Sequence, residues 1–275
     1  MVASNSFSMF PEDEHNKLLL ENVHPTNWEN PEPKEKYNLV VVGAGTAGLV
    51  TAIGAATLGA RVALVERDLM GGECLNTGCV PSKGLIASAK MLSNVQKSSD
   101  YGIRIDRGIK VDFEAIMERV RYLRSQISRR DSVKRCTEKG IDVFLGHGKF
   151  LDSCELEVGG KILKFKKAVI ATGSSPAKLP SLGLQKVDYL TNETLFSLNQ
   201  LPPRLAVIGA GPMGCEMAQA FARFGSRVCL LEHRSQILGR EDPEAAAVIE
   251  QALRNDGVTV FLNCSPRLDS SSAEG

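Results

Sequence analysis

The sequence predicts an α/β protein, and three observations carry that prediction. A short apolar strand runs directly into a glycine-rich turn, followed by small, helix-compatible residues and a second apolar strand. The same pattern returns once, 166 residues later and without a gap. Two cysteines five positions apart follow the first copy, between glycines and a Pro-Ser-Lys. Together these features predict two Rossmann-like dinucleotide-binding units, the second of them incomplete.

The composition is that of an ordinary globular protein. The 275 residues suffice for one large or two ordinary domains, with 43% hydrophobic and 24% charged residues. A net charge of +1 gives no field that favours nucleic acid, and no apolar run approaches the length of a membrane span. Seven scattered cysteines do not resemble a secreted disulfide framework. We therefore expect a cytoplasmic protein, with an organelle stroma or matrix as the alternative.

Residues 1–36 precede the first unit and are predicted to form an N-terminal arm. They are polar and contain several prolines, and they leave room for a short helix over residues 17–22. The remainder is expected to be a surface-packed or disordered tail.

The first unit carries a dinucleotide fingerprint in its required context. The predicted strand, helix and second strand cover residues 37–42, 49–58 and 61–65. Gly43, Gly45 and Gly48 form the turn after the first strand, and Glu66 closes the second. The glycines let the backbone approach a pyrophosphate, whose charge the helix N-terminus stabilises. Glu66 can accept hydrogen bonds from a ribose.

Cys74 and Cys79 lie in the stretch from Gly71 to Lys83 that follows this unit. Their spacing lets both thiols face each other at the start of a helix, where thiolate is favoured and a disulfide can open and close. Two buried cysteines, or half of a metal site, are the plain alternative for Cys-x4-Cys. The position directly after a dinucleotide-binding unit favours the redox interpretation.

Helices and β structure are predicted for the following region. The helices cover residues 83–97 and 112–138, and the strands cover 141–145, 149–151, 155–158, 161–165 and 168–171. Gly159-Gly160 is a hairpin turn signal. The basic residues of the second helix are interpreted as a solvated face, because acids and apolar residues interleave with them. The small residues after Ala171 permit close approach to a ligand or form an ordinary loop.

The internal repeat joins residues 40–66 to residues 206–232, with twelve of the 27 aligned positions identical. The glycines and acid of the second copy are Gly209, Gly211, Gly214 and Glu232. Two such units suggest a flavin and a nicotinamide nucleotide in relay. Glu232 favours NAD, because a carboxylate binds ribose hydroxyls and repels a 2′-phosphate, whereas Arg234 could pair with a phosphate. NADH is therefore expected with a slight preference over NADPH.

The two fingerprints, the Gly-Gly-x-Cys-x4-Cys-x-Pro-Ser-Lys stretch and an Ala-Thr-Gly-Ser-x-Pro segment together resemble the FAD-dependent pyridine nucleotide-disulfide oxidoreductases. The arm, with Glu14-His15-Asn16 and Asn22-Val23-His24-Pro25, is similar to the N-terminus of the mercuric reductase-like branch. The resemblance covers the chain to about residue 262. It implies an FAD-binding domain over residues 37–195 and a truncated NAD(P)-binding domain over residues 196–275.

The resemblance also implies an electron path. Hydride passes from NAD(P)H to FAD, and electrons then reach Cys79, while Cys74 is the interchange thiol that meets a small disulfide or metal-ion substrate. Lys83 would lie near the flavin and pair with Glu216. The implied catalytic residues are Cys74, Cys79, Lys83 and Glu216. The implied cofactor-binding residues are Gly43, Gly45, Thr46, Ala47, Gly48, Glu66, Gly72, Cys74, Lys83, Gly148, Thr172, Gly173, Gly209, Gly211, Gly214, Glu216 and Glu232.

Two departures from the family pattern bear on activity. Glu73 stands where the family often has a hydroxyl residue, and no dimerisation domain with its His–Glu acid–base pair follows residue 263. The family is homodimeric, so an alternative is a catalytically incomplete isoform that binds nucleotide or pairs with full-length subunits. A single-nucleotide dehydrogenase with structural cysteines is a third interpretation, which the gapless repeat disfavours.

Overall fold

A computed structural model describes residues 9–105, 108–177 and 188–264. The chain divides into two units. The first comprises the described residues of Met1–Pro81 and Val120–Ser175, and the second comprises those of Ser82–Arg119 and Pro176–Gly275. The functional domain boundary expected after residue 195 stays a prediction.

Helices and strands alternate along much of the chain. The helices are α1 (Glu14–Val23), α2 (Thr46–Thr57), α3 (Gly72–Asn76), α4 (Cys79–Gln96), α5 (Phe113–Ser128), α6 (Val133–Glu138), α7 (Asn192–Leu195), α8 (Pro212–Phe224) and α9 (Pro243–Asn255). The strands are β1 (Tyr37–Val42), β2 (Val62–Glu66), β3 (Asp142–Leu145), β4 (Lys149–Phe150), β5 (Glu155–Val158), β6 (Lys161–Ile170), β7 (Arg204–Ile208), β8 (Arg227–Leu231) and β9 (Thr259–Phe261). This pattern confirms the predicted α/β class.

The first unit is built on a six-stranded sheet in the order β3-β2-β1-β6-β5-β4. The first four strands of that order run parallel, whereas β5 is antiparallel to its neighbours β6 and β4. Val42 at the end of β1 lies opposite Ile170 at the end of β6. The turns that follow these two strands therefore lie side by side at one edge of the sheet, where doubly wound folds bind ligands.

Apolar side chains cover both faces of this sheet. Val41 of β1 belongs to a cluster that includes Leu19 of α1, and its neighbour Val40 belongs to another that includes Phe144 of β3. Successive residues of a strand point to opposite faces. Burial on both faces explains why the parallel strands read as nearly continuous runs of valine and leucine.

The N-terminal arm is part of the first unit, and the short helix expected over residues 17–22 is present as α1. Leu19 and Val23 are fully buried. The helix begins at Glu14, earlier in the chain than predicted, because Asp13 caps it by accepting a hydrogen bond from Asn16 N at 2.8 Å. Asn30 fastens the end of the arm to β3 through two hydrogen bonds with Leu145, of 2.7 and 3.0 Å.

The long helix predicted over residues 112–138 is interrupted. α5 ends at Ser128, a 3-10 turn covers Arg129–Asp131, and α6 begins after Ser132. Ser132 has extended backbone angles and its hydroxyl accepts a hydrogen bond from Arg135 N at 3.1 Å. A serine that caps a new helix in this way ends the preceding one.

The interpretation of the basic residues as a solvated face is wrong for two of them. Arg121 and Arg124 are only 6% and 4% exposed. Arg121 forms an ion pair with Asp13 of the arm, and Arg124 donates to Asn16 Oδ1 at 3.2 Å. Burial lowers the pKa of Arg124 to about 10, with a further contribution from the neighbouring Arg121. These arginines therefore join α5 to the arm.

Two further boundaries differ from the predictions. β6 is one strand, where two were predicted, because its first part pairs with β5 and its second part with β1. α4 begins at Cys79, four residues earlier than predicted, since Pro81 falls in the first turn, where a helix needs no N–H from it. The hairpin signal is confirmed: Gly159 and Gly160 both have positive φ, of 57° and 79°, between antiparallel strands.

The second unit holds a three-stranded parallel sheet in the order β7-β8-β9. Within the described ranges, β7 pairs with β8 alone, whereas its counterpart β1 lies between two strands.

Candidate functional site

The first glycine-rich turn is built from backbone approaches that leave no room for a side chain. Gly43 has a φ of +102°, and a Cβ added there would lie 2.2 Å from the carbonyl oxygen of Ala171. A Cβ on Gly48 would lie 1.7 Å from the carbonyl oxygen of Gly43. Glycine is therefore required at both positions.

The start of α2 fits the pyrophosphate of a dinucleotide. Gly45 is the N-cap residue and offers no side-chain cap, while Thr46 and Ala47 are exposed in the first turn. The first N–H groups of a helix have no partner within it, and the positive end of the helix dipole attracts an anion. The geometry of this turn, called the first cradle below, is compatible with the FAD site that the sequence predicts, and its contact with FAD stays a prediction.

Glu66 has a structural task that sequence reasoning missed. Its carboxylate accepts hydrogen bonds from the N–H groups of Ala44, at 2.6 Å, and Asp68, at 2.8 Å. It thus holds the glycine-rich turn against the end of β2. Each carboxylate oxygen has a second lone pair, so these bonds are compatible with the predicted contact to a ribose.

Gly148, Thr172 and Gly173 lie around the same end of the sheet. A Cβ on Gly148 would lie 3.2 Å from a methyl group of Val65, the residue before Glu66. A Cβ added to Gly43 would lie 3.2 Å from the backbone N of Thr172. The next residue, Gly173, has a φ of +66°. The geometry brings these predicted FAD-binding positions to the first cradle, and their contact with FAD stays a prediction.

The cysteine stretch contacts the first cradle through two glycines, Gly72 of the stretch and Gly45 of the cradle. Gly72 has a φ of +56°, and a Cβ there would lie 2.6 Å from Gly45 Cα. Asn76 closes the short helix α3 by donating from Nδ2 to the carbonyl groups of Met70, at 3.1 Å, and Gly72, at 2.9 Å. The start of α3 is therefore fixed against the start of α2.

The thiols of Cys74 and Cys79 contact each other and are not joined as a disulfide. Cys74 lies within α3 and is half-buried, whereas Cys79 is the first residue of α4 and is exposed. The two side chains share a hydrogen bond. The spacing therefore brings the thiols together as predicted, and such a pair can close as a disulfide.

The prediction that a helix N-terminus would favour the thiolate is wrong for Cys74. Burial and the neighbouring Cys79 raise the pKa of this thiol, while a hydrogen bond from Thr46 acts in the opposite direction. Burial also raises the pKa of the unrelated thiols Cys136 and Cys215 to about 11. The hydrogen bond with Thr46 is thus the interaction that acts to lower the pKa of Cys74.

The second fingerprint reproduces the first in backbone detail. Gly209 has a φ of +98°, and a Cβ on Gly214 would lie 2.0 Å from its carbonyl oxygen. Gly211 is the N-cap of α8, as Gly45 is of α2. The repeat therefore encodes one turn geometry used twice.

Glu232 repeats the arrangement of Glu66. It accepts from the N–H groups of Ala210, at 2.8 Å, and Arg234, at 3.0 Å. His233 Nδ1 lies 2.8 Å from the same carboxylate. The carboxylate is buried at the position where the sequence predicts the ribose of the nicotinamide nucleotide.

Lys83 and Glu216 form the ion pair that the resemblance implies. Lys83 Nζ lies 2.6 and 2.8 Å from the two carboxylate oxygens, and both residues belong to the second unit. Glu216 follows Gly214 by two positions in α8. The pairing is present, and its role beside a flavin stays a prediction.

The described ranges hold neither a candidate membrane span nor a candidate metal cluster. None of their helices is long and apolar enough to cross a membrane. No three of their His, Cys, Asp or Glu side chains gather as a metal site.

A family model described as pyridine nucleotide-disulphide oxidoreductase matches residues 37–273. The chain belongs to this family. A mercuric reductase of Lysinibacillus sphaericus is 35% identical over 241 residues, which are 88% of this chain and 43% of that protein. A dihydrolipoyl dehydrogenase of Acholeplasma laidlawii is 35% identical over 232 residues, 82% of this chain and 68% of that protein.

Solved structures show the same likeness. The Cu(II) complex of a cysteine-to-serine variant of the HOCl-induced flavoprotein disulfide reductase RclA from Escherichia coli is 30% identical, with a TM-score of 0.73. The match covers 85% of this chain and 51% of that structure. The chain spans about half the length of several relatives that it matches. These matches confirm the family and the fold class predicted from the motifs.

Proposed function

We propose that this chain carries the nucleotide cradles and the dithiol of an NAD(P)H-dependent flavoprotein oxidoreductase. The observation that carries the proposal is the backbone contact between Gly45 and Gly72, which attaches the Cys74–Cys79 pair to the first cradle. A thiol pair with a purely structural role needs no such attachment to a nucleotide-binding turn.

FAD is assigned to the first cradle. The residues proposed to hold it are Gly43, Gly45, Thr46, Ala47, Gly48, Glu66, Gly72, Gly148, Thr172 and Gly173. When bound, FAD supplies a two-electron carrier between a nicotinamide and the disulfide. Lys83, held by Glu216, provides positive charge where negative charge would develop.

The dithiol then reduces substrate by exchange. The Cys74 thiolate bonds to one sulfur of a substrate disulfide, whose S–S bond breaks, and the leaving sulfur takes up a proton. Cys79 attacks Cys74, releases the second thiol and closes the Cys74–Cys79 disulfide. NAD(P)H restores the dithiol by giving two electrons as hydride, and the solvent supplies the second proton.

The second cradle is proposed to bind NAD(P)H, with NADH preferred. The residues proposed to hold it are Gly209, Gly211, Gly214, Glu216 and Glu232. The buried carboxylate of Glu232 would repel a 2′-phosphate. Arg234 is the group through which NADPH could be accommodated.

The proposed substrates are a small disulfide or a soft metal ion. The names of the relatives support both classes, since they include mercuric reductases and dihydrolipoyl dehydrogenases. Thiolates are the ligands that soft metal ions select. We place the reaction in the cytoplasm, where thiols stay reduced between turnovers.

Anaerobic titration tests the proposal. The protein is loaded with FAD, washed, and titrated with NADH and separately with NADPH. Full reduction of the wild-type chain should consume about two equivalents of the reduced nucleotide, one for the flavin and one for the disulfide. Full reduction of Cys79→Ser should consume about one equivalent. The proposal is contradicted if the folded wild-type chain retains no FAD, or if it consumes the same number of nucleotide equivalents as Cys79→Ser.

The second candidate is a nucleotide-binding chain that pairs with full-length subunits without catalysis of its own. The strand order supports it: among the described residues β7 is the first strand of its sheet, whereas β1 lies between two strands, and an edge strand can take a strand from another chain. FAD retention without oxidation of NADH or NADPH, with any disulfide or Hg²⁺ as acceptor, would favour this candidate.

A further inference from the structure

Thr46 is the first residue of α2, and its counterpart in the second repeat is Pro212, the first residue of α8. The preceding N-cap glycines share one conformation: φ −76° and ψ −171° at Gly45, φ −74° and ψ −179° at Gly211. Proline suits the first helical position, because its φ is preset and no N–H is needed there. The backbone of the first repeat therefore has no need of threonine, and what Thr46 adds is a hydroxyl group.

That hydroxyl forms a hydrogen bond with the thiol of Cys74. The contact between Gly45 and Gly72 brings the two residues together, because Thr46 directly follows one glycine and Cys74 follows the other by two positions. A Cβ at position 72 would lie 2.6 Å from Gly45 Cα, so this close approach of the two segments requires glycine there. The meeting of hydroxyl and thiol is thus imposed by the backbone.

The chemical effect of this hydrogen bond depends on the charge of the sulfur. A hydroxyl that donates to a thiolate stabilises the charged form. Burial and the adjacent Cys79 act in the other direction and raise the pKa of Cys74. The Thr46 hydroxyl therefore counteracts the rise in pKa that burial and Cys79 cause at Cys74, the thiol proposed to meet substrate.

We propose that Thr46 is a positioning residue for the redox reaction, whose hydroxyl donates to Cys74 Sγ and holds it as the attacking thiolate. The inference rests on the proposed function, in which Cys74 is the interchange thiol. During exchange the S–S bond of the substrate breaks as the bond to Cys74 forms, and Thr46 keeps its own proton throughout. Thr46 thereby links the phosphate cradle to the dithiol.

The test is the pH profile of Cys74 alkylation by iodoacetamide in a Cys79→Ser background, read by mass spectrometry of the Cys74 peptide. Thr46→Val should move the profile to higher pH and slow alkylation near neutral pH by about 3- to 10-fold, because only thiolate reacts. Thr46→Ser should keep the parental profile. Thr51→Val is the matched control, since the Thr51 hydroxyl donates to Ala47 O at 2.7 Å in the same helix.

A Thr46→Val profile that coincides with that of Thr51→Val would overturn the inference. If Thr46→Val does not fold, Thr46→Pro replaces it, because the second repeat accommodates proline at this position, and the same shift is expected. Alkylation requires neither turnover nor bound FAD. A chain that reduces no substrate therefore contradicts the proposed function and leaves the result on Thr46 to stand by itself.

Discussion

Gly45 and Gly72 approach so closely that a Cβ on Gly72 would lie 2.6 Å from Gly45 Cα. One glycine belongs to the first glycine-rich turn and the other opens the helix that carries Cys74. This contact therefore joins the two motifs that the sequence shows as neighbours in the chain only. It also explains the glycine at position 72, whose φ is 56°, whereas a Cβ on the preceding Gly71, with a φ of 86°, would collide with the side chain of Leu75.

Replacing Gly72 should cost more than a glycine replacement usually does. Gly72→Ala places a methyl group against backbone at a positive φ, and we expect the free energy of unfolding to fall by about 1–3 kcal/mol. Gly54→Ala is the matched control, because a Cβ at Gly54 in α2 meets nothing within 4 Å. The free energy of unfolding of Gly54→Ala should rise by about 0.5–1 kcal/mol. Urea unfolding measures both, and equal changes would contradict the role given to the contact.

Glu232 should make stability depend on pH. Burial disfavours its charged form, but the N–H groups of Ala210 and Arg234 and the nearby positive charge outweigh burial and lower its pKa below 4.5. A lowered pKa in the folded state means that the contribution is complete above about pH 4.5 and is lost as pH falls through the folded-state value. Glu232→Gln should therefore lose stability at neutral pH and show a flatter decline in acid.

Urea unfolding at neutral pH and at about pH 3.5 checks this, since the difference between wild type and Glu232→Gln should shrink in acid. Glu118→Gln, at an exposed position of α5, serves as the control and should follow the wild type at both pH values. A constant difference between wild type and Glu232→Gln at both pH values would exclude the titration of Glu232 as its cause.

Local patterns predicted the fold and the meeting of the Cys74 and Cys79 thiols, because those features depend on residues close in the chain. The fingerprint turn, the hairpin at Gly159-Gly160 and the parallel order of β1 and β2 follow from short-range rules. The pairing of Lys83 with Glu216 came from the family resemblance, since 133 residues separate them.

What the patterns missed are contacts between distant segments. The burial of Arg121 depends on Asp13, which is 108 residues away, so the sequence of α5 alone presents an ordinary basic helix. The raised pKa of Cys74 depends on burial and on Cys79, which a helix-dipole argument leaves out. The repeat did carry one unused signal: Glu66 and Glu232 occupy the same position in the two copies, and each accepts a hydrogen bond from the backbone N–H of the residue after the first glycine of its turn.

The ion pair of Asp13 with Arg121 should contribute to the stability of the first unit. Asp13→Asn retains an oxygen that can cap α1 but leaves the buried guanidinium of Arg121 without a counter-charge. We expect a loss of about 3 kcal/mol, since breaking a buried pair leaves an uncompensated charge. Glu138→Gln is the control: it breaks the exposed pair with Lys134, at 3.9 Å, and should cost less than about 0.5 kcal/mol. Thermal and urea unfolding that show equal losses would contradict this account.

Lys83 should matter for electron transfer and little for folding. Its ion pair with Glu216 is partly exposed, so Lys83→Met should change the free energy of unfolding by less than about 1 kcal/mol. Loss of the positive charge should slow reduction of the FAD-loaded chain by NADH by about 100-fold, the scale observed when one charge-stabilising donor is removed.

Stopped-flow absorbance of the flavin measures this rate under anaerobic conditions. Glu216→Gln should show a smaller decrease, because the amide still holds the lysine while the charge stays in place. Lys90→Met, an exposed lysine of the same helix α4, should reduce at the wild-type rate. If Lys83→Met and Lys90→Met reduce equally fast, Lys83 serves only to join α4 to α8, and another group must stabilise the negative charge of the reduced flavin.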